Sequence, residues 1–381
     1  MSPRIYLDHN ATTPMDPSVE AAVVEGMRLL GNPSSPHEEG RKTRQYLERY
    51  RQEVADFFQV HADEIFFTSG GTEGAAFFLR GFLEDSPHSH LVTTSVEHAC
   101  VTQTAMFLQK KGVRVSYVPV GEWGAPNPKE VEAAILPETR LLCFTAVNSE
   151  TGVKSEVETL AAIAKRSGVP LVIDGVCWLG KEKITIPEGV SGIFFSGHKI
   201  AGPKGVGFCF CRRGWKGKSL LFGGEQEGRK RAGTENLPGV FGLAQALRLL
   251  RGGKLEIWAE HMQKLREGFE QCLVDLFGTK IVINGLGPRI CNTTNCSFLG
   301  IDGESVLMAL DLGGISASFG SACSSGGMER SRVLQNMGLS SARTRSALRF
   351  SFGRDNCWTE VESVIACLEK LSRKFLSGSV P

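Results

Sequence analysis

Lys199 ends the run Phe194-Phe195-Ser196-Gly197-His198-Lys199 and precedes Ile200-Ala201-Gly202-Pro203-Lys204-Gly205. A lysine at the end of an apolar strand projects its amine into a cleft, and flanking glycines let backbone amides approach a ligand closely. Desolvation or a neighbouring cation equips such an amine to form a Schiff base with a carbonyl. Taken singly, the hexapeptide fits a turn lysine beside a Gly-Pro loop equally well. Upstream, Phe66-Phe67-Thr68-Ser69-Gly70-Gly71-Thr72-Glu73 leaves a strand for a helix through a Gly-Gly turn. The free N–H groups and positive dipole end of that junction suit a phosphate, with Thr72 adding a hydroxyl. An ordinary capped helix is the plainer account of this segment on its own. Leu171-Val172-Ile173-Asp174 is an apolar strand ending in a carboxylate. Burying that group is costly unless it is paired, and a cationic ring nitrogen would offset the cost.

Three further residues carry chemistry only in combination. His98, in Val96-Glu97-His98, follows a β-rich run and by itself reads first as a surface histidine at a strand end. Cys323 sits in Ser318-Phe319-Gly320-Ser321-Ala322-Cys323-Ser324-Ser325-Gly326-Gly327, where small residues predict an exposed loop. Exposure is the condition for nucleophilic sulfur chemistry. Arg349, in Ala347-Leu348-Arg349-Phe350-Ser351, follows an alternating strand pattern. Its guanidinium is either a fork for a carboxylate or a surface charge.

Strand–helix alternation must position these groups. Residues 64–68, 90–95, 114–120, 140–147, 170–174, 192–196 and 206–212 read as strands, with helix-period segments such as 157–166 between them. That pattern predicts a largely parallel sheet covered by helices on both faces. Residues 41–58 carry Tyr46, Tyr50, Val54, Phe57 and Phe58 on one face of an amphipathic helix. Beyond Gly214 come a charged Gly-rich stretch at 222–233 and two helices, at 239–250 and about 255–277. Short β candidates follow near 280–283, 293–298, 315–318 and 346–351. The expected division is an N-terminal segment (1–15) packing with the small domain, a large domain (16–255) and a small α+β domain (256–381).

Composition narrows the class. The chain has 381 residues, 41% hydrophobic and 22% charged, which predicts an ordinary globular protein. Its net charge of +2 gives no reason to expect nucleic acid or a membrane surface as partner. No stretch approaches the roughly 18 apolar residues of a membrane span, and the N-terminus lacks the apolar run of a signal peptide. Eleven cysteines without a CxxC pair suit free thiols in a reducing cytosol, with no metal site. Cys209 and Cys211 alternate with phenylalanines and read as strand residues.

In this order the motifs resemble the cysteine desulfurases, the NifS/IscS-like group of class V aminotransferases and fold-type I pyridoxal-phosphate enzymes. The resemblance begins at Tyr6-Leu7-Asp8-His9-Asn10-Ala11-Thr12-Thr13-Pro14 and Gly31-Asn32-Pro33-Ser34-Ser35. It continues through the motifs at Gly71, His98 and Lys199 to Arg231-Ala232-Gly233-Thr234-Glu235-Asn236, Gly320-Ser321-Ala322-Cys323 and Arg349-Phe350-Ser351. It implies an α/β fold: a large domain with a mainly parallel seven-stranded sheet, and a smaller α+β C-terminal domain. Lys199 would form the Schiff base with pyridoxal phosphate and move the substrate Cα proton. His98 would stack on the ring and assist proton transfers, and Asp174 would pair with the ring nitrogen. Gly71, Thr72, Ser196 and His198 would bind the phosphate, with Thr234 arriving from the second subunit of a homodimer. Arg349, with Asn148, would hold L-cysteine. Cys323 would take the substrate sulfur as a persulfide, L-alanine would leave, and the sulfur would pass to an acceptor protein such as an iron–sulfur scaffold.

Two positions depart from the family's pattern. Ser149 stands where the family usually has Asn, and Cys177 where it usually has Gln. Both family side chains would donate to the cofactor's phenolic oxygen; serine is a shorter donor and cysteine a weak one. Altered titration of the bound cofactor and slower turnover are therefore expected, unless Asn148, a water or Trp178 compensates. The rival readings are a selenocysteine lyase, an aminotransferase of the same fold, and a weakened homologue acting as a binding or regulatory subunit.

Overall fold

The structure, a computed structural model, describes residues 4–320 and 330–376. The chain opens with a two-residue strand, β1 (Ile5–Tyr6). The strands β2 (Ile65–Thr68), β3 (His90–Thr94), β4 (Arg114–Val118), β5 (Thr139–Thr145), β6 (Leu171–Asp174), β7 (Val190–Ser196) and β8 (Gly207–Cys211) then build one sheet. Its spatial order is β2-β8-β7-β6-β5-β3-β4. All seven expected strands form, with ends displaced by one or two residues.

The sheet is mixed at one side only. β3, β4, β5, β6 and β7 run parallel, whereas β8 is antiparallel to both β7 and β2. A parallel return needs a crossover of a dozen or more residues, usually helical. The connection from Ser196 to Gly207 contains only a single 3-10 turn, Gly197–Lys199, so the chain comes straight back. Lys199 thus sits on the tight link at the carboxyl end of β7. The other parallel strands end beside it, at Thr94, Thr145 and Asp174, and that edge of an open α/β sheet is where ligands bind.

Helices cover both faces. The helix Gly71–Leu83 buries Ala75, Phe78 and Leu79 against the sheet. A Cβ on its Gly74 would lie 2.5 Å from Phe194 Cβ and 2.8 Å from Cys209 Sγ. Only glycine allows that approach, which lowers the helix N-terminus onto the carboxyl edge of the strands. On the opposite face Phe58, Phe195 and Phe208 stack with ring centroids 4.7 to 5.7 Å apart. Cys209 and Cys211 are fully buried strand residues, as their alternation predicts.

Beyond the large sheet, β9 (Ile281–Ile283), β10 (Thr293–Phe298) and β12 (Ala347–Ser351) form a three-stranded antiparallel sheet in the order β12-β10-β9. The long helices Lys254–Phe277 and Trp358–Leu376 pack together. The candidate strand near 315–318 contributes β11 (Ile315–Ser316), which pairs in parallel with β1 instead of joining the small sheet. The opening residues are therefore stitched to the C-terminal part. Asn10 donates its backbone N–H to Ser351 Oγ (2.9 Å) and its amide to Thr293 Oγ1 (2.8 Å). They also reach the large sheet, because Thr13 N–H donates to the His198 carbonyl (3.0 Å) and Ala201 N–H to Thr13 Oγ1 (2.7 Å). Among the described residues no helix is long and apolar enough to cross a membrane.

Candidate active site

The carboxyl edge of the sheet opens into a cavity whose lining includes Lys199, Gly71, Thr72, His98, Asp174 and Arg349. Residues distant in sequence meet there because Asp174 and Ser196 end strands, Lys199 and His98 follow strand ends and Gly71 starts a helix, while Arg349 comes from the middle of β12. Lys199 is half-buried, and its ammonium donates to the main-chain carbonyls of Asn10 and of Ala11 (2.9 Å). The N-terminal segment thus forms one wall beside the lysine.

A second wall is the start of the helix Gly71–Leu83. Its N-cap, Gly70, has φ +150° and no side-chain cap, so the first amides of the helix face the cavity without a side-chain partner. Ser196 and His198 line the same end. His198 Nδ1 lies 3.2 Å from Thr12 Oγ1, and its imidazole is pushed down to about 4 by burial and by Lys199 and Lys204. It is neutral at physiological pH. Thr234 is exposed and is not part of this cavity; its hydroxyl accepts from Asn32 at 3.4 Å.

The lining carries a buried carboxyl, Asp174, and a second, Glu97, lies in the chain beside lining residues Val96 and His98. Asp174 accepts from the Val176 N–H at 2.9 Å. Burial pushes its carboxyl up to about 6, against the pull of Val176 and Lys199. Glu97 is fully buried, accepts from Thr94 Oγ1 at 2.8 Å, and has one carboxyl oxygen without a hydrogen-bond partner among the described residues. Burial pushes it up to about 8, and Asp174 adds to the shift. His98 lies next to Glu97, half-buried, and burial followed by Lys199 and Arg332 holds its imidazole below the ordinary value.

The raised Asp174 value has a stability consequence with a definite sign. Folding raises its proton affinity, so the folded state loses stability as pH climbs from about 4 to about 6. The loss is worth about 3 kcal/mol above that window. In cofactor-free protein, Asp174→Asn is expected to remove this slope and to gain stability over the parent at neutral pH. Urea midpoints at acidic and neutral pH measure it; equal slopes for parent and variant would refute the buried, unpaired carboxylate.

Arg349 is only 2% exposed, in the middle of β12. Its Nη2 donates to Asp8 Oδ1 (2.6 Å) and its Nη1 to the Ser149 carbonyl (3.0 Å), while Nε has no partner among the described residues. A guanidinium buried with a donor unspent suits an acceptor arriving in the cavity. Ser149 and Cys177 also line the cavity, and burial raises the Cys177 thiol. Asn148 lines it too, but its side chain is committed. Its amide donates to the Val96 carbonyl (3.0 Å), and its oxygen accepts from Glu150 N–H (2.9 Å) and Thr151 N–H (3.0 Å). As placed, it shapes the turn and has little left to offer a substrate.

Cys323 lies outside the described residues. The residues before and after its segment are both tied to the cavity rim. Ser318 exchanges backbone hydrogen bonds with Arg349 (3.1 and 2.8 Å). Arg332 donates to the carbonyls of Ser95 and Glu97, each at 2.6 Å, and Ser331 donates to Glu150.

Sequence reasoning missed several participants. Asp8 and Asn10 were read only as part of a motif, yet one pairs with Arg349 and the other meets Lys199. Glu97 and Cys100 were also given no role. A carboxylate and an amide spaced two apart in the opening motif, Asp8 and Asn10, are the available signal.

The class-V aminotransferase family model matches residues 5–364. Cysteine desulfurase 2 of Trichormus variabilis is 37% identical over 364 residues, covering 95% of this chain and 91% of that protein. Among solved structures, a NifS-like protein superposes with a TM-score of 0.89 at 32% identity, covering 97% of this chain and 99% of that one. The structure of SspA in complex with cysteine also superposes, with a TM-score of 0.82 at 28% identity, covering 93% of this chain and 100% of that one. The match spans both sheets and every wall of the cavity, so the chain belongs to the class-V aminotransferases and, within them, to the cysteine desulfurase family.

Proposed function

We infer that this chain is a pyridoxal-phosphate-dependent cysteine desulfurase, which converts L-cysteine to L-alanine and retains the sulfur as a persulfide on Cys323. The observation that carries the reading is the convergence of Lys199, Asp174 and the uncapped helix at Gly71 on one cavity. The donor set fits the cofactor. Asp174, a buried carboxyl with a single backbone donor, suits a protonated ring nitrogen. The amides of Gly71 and Thr72, with Ser196 and neutral His198, suit the phosphate. Lys199 suits the aldehyde carbon. Bound there, the cofactor supplies an electron sink for negative charge at the substrate Cα.

The chain's own residues do the rest. Arg349 receives the substrate carboxylate on its remaining donor capacity, held in place by Asp8. Lys199 removes the Cα proton and later returns one to the three-carbon product. The Cys323 thiolate attacks the substrate sulfur, the C–S bond breaks, and a Cys323 persulfide and L-alanine result. The persulfide then serves an acceptor protein, for which an iron–sulfur scaffold is the leading candidate. The exposed position of Thr234, with Phe222 90% and Leu30 81% exposed, supports a homodimer in which Thr234 completes the partner's phosphate site. All ten cysteines among the described residues are free thiols, which fits a reducing cytosol.

Incubation with L-cysteine, scoring alanine, sulfide and a persulfide on Cys323, tests the reading; alanine formed without any Cys323 adduct would defeat it. Arg349→Lys keeps the charge but loses the planar fork, so KM for L-cysteine is expected to rise about 10- to 100-fold. An unchanged KM would remove Arg349 from the substrate site. Ser149→Asn with Cys177→Gln restores two stronger donors beside the ring. The visible band of the bound cofactor is then expected to titrate about one pH unit lower, as the phenolate form is favoured. A spectrum indifferent to both changes would show that other groups hold that oxygen.

A further inference from the structure

The helix Ala99–Lys110 starts at His98, whose side chain caps it: the Cys100 backbone N–H donates to Nδ1 at 3.1 Å. The Cys100 sulfur lies 3.0 Å from the same nitrogen. Burial keeps Cys100 a thiol, which can donate its S–H to a nitrogen that presents a lone pair. A backbone amide can only donate, which requires Nδ1 to present its lone pair; a neutral imidazole then carries its single proton on Nε2.

We propose that the first turn of this helix and the Cys100 thiol together lock His98 as the neutral Nε2–H tautomer, which makes Cys100 a positioning residue for the active-site histidine. Forming an imidazolium would place a proton on Nδ1. It would cost the backbone hydrogen bond, leave the Cys100 sulfur only a weak acceptor's role, and set a positive charge against the positive end of the helix dipole. Among the charged groups around the ring, Lys199 and Arg332 oppose a further positive charge. Burial raises Glu97 to about 8 and Asp174 to about 6, so of these two carboxyls only Asp174 carries much charge at neutral pH.

The consequence for the reaction rests on the desulfurase reading, although the tautomer does not. With Nδ1 committed and Nε2 protonated, His98 can give a hydrogen bond through Nε2 but has no second lone pair to take up a proton. The proton leaving the substrate Cα therefore goes to Lys199, and His98 acts as a neutral donor. That narrows the expectation that His98 shares in proton transfer.

Long-range ¹H–¹⁵N correlation spectra of ¹⁵N-histidine-labelled protein test this, with and without bound pyridoxal phosphate, His98 being assigned by its absence in His98→Gln. The expected pattern is Nε2–H in both forms, without titration across the range of roughly pH 6 to 8 where an ordinary histidine changes charge. In Cys100→Ala the backbone bond preserves the tautomer, the Nδ1 resonance moves, and the proton affinity of Nδ1 rises about fivefold, the share of one hydrogen bond. Cys100→Ser restores a donor and reverses most of that change. An Nδ1–H pattern, an imidazolium in that pH range, or an Nδ1 resonance indifferent to Cys100→Ala overturns the proposal. Failure to bind the cofactor would instead overturn the reading of the site, because the stripped protein reports the tautomer by itself.

Discussion

Lys199→Ala is expected to lower alanine formation from L-cysteine by about 10⁴-fold or more while leaving the fold intact. The size follows from losing a nucleophile and a proton acceptor in one atom, each worth orders of magnitude. The fold survives because Lys199 is half-buried on a turn and, among the described residues, its side chain donates only to the carbonyls of Asn10 and Ala11. The turn itself is held by others. Thr13 bonds the His198 carbonyl, and Ile200 N–H and Gly202 N–H both donate to the Gly197 carbonyl. Two measurements check the prediction: alanine release, and covalent retention of the cofactor after borohydride reduction. The parent protein should keep the cofactor on the peptide containing Lys199, and the variant should keep none. Retention on another lysine, with activity preserved, would move the catalytic amine elsewhere; Lys181, fully buried and donating to the Lys199 carbonyl at 3.3 Å, is the control position.

Cys323→Ser is the second large effect: loss of persulfide and at least about 10³-fold slower alanine release. Sulfur-to-sulfur attack needs a thiolate, and a serine hydroxyl is almost wholly protonated at neutral pH and forms no persulfide. The variant should still bind the cofactor and L-cysteine, because Lys199, Asp174 and Arg349 are untouched. The spectrum of the bound cofactor on adding L-cysteine therefore separates loss of sulfur attack from loss of binding. Full activity in Cys323→Ser would favour an aminotransferase, in which this cysteine has no role. Both flanks of its segment are fixed at the rim, by Ser318 on Arg349 and by Arg332 on Ser95 and Glu97. Arg332→Ala, which removes one tether, should slow sulfur attack without changing cofactor binding.

The seven strands of the large sheet were legible because their apolar runs are short, β-rich and separated by turn residues. Their order was not. Nothing in the run at 206–212 announces that β8 is antiparallel to both neighbours; the shortness of the Ser196–Gly207 connection decides it. The 315–318 run reads only as a short strand; its Ile315 and Ser316 pair with β1, more than 300 residues earlier, while Ser318 bridges to Arg349 of β12. A two-residue strand has too little pattern of its own to reveal a partner that distant.

The chemistry of the site divides in the same way. The sequence by itself determined which groups are available: an amine after a strand, a Gly-Gly helix start, a carboxylate closing an apolar strand, an arginine in a strand and a cysteine among small residues. Residue types and local spacing carry that information, because strand ends and helix starts are local events. Only the tertiary structure decided what each group faces. It placed Asp8 on Arg349 and the Asn10 and Ala11 carbonyls on Lys199. It turned Asn148 inward onto its own turn and set Cys100 against His98. Hydrogen-bond partners and desolvation depend on what folding brings within about 3 Å. Asp174 and Glu97 are ordinary carboxylates in the unfolded chain and become proton-holding groups only where the packed sheet excludes water.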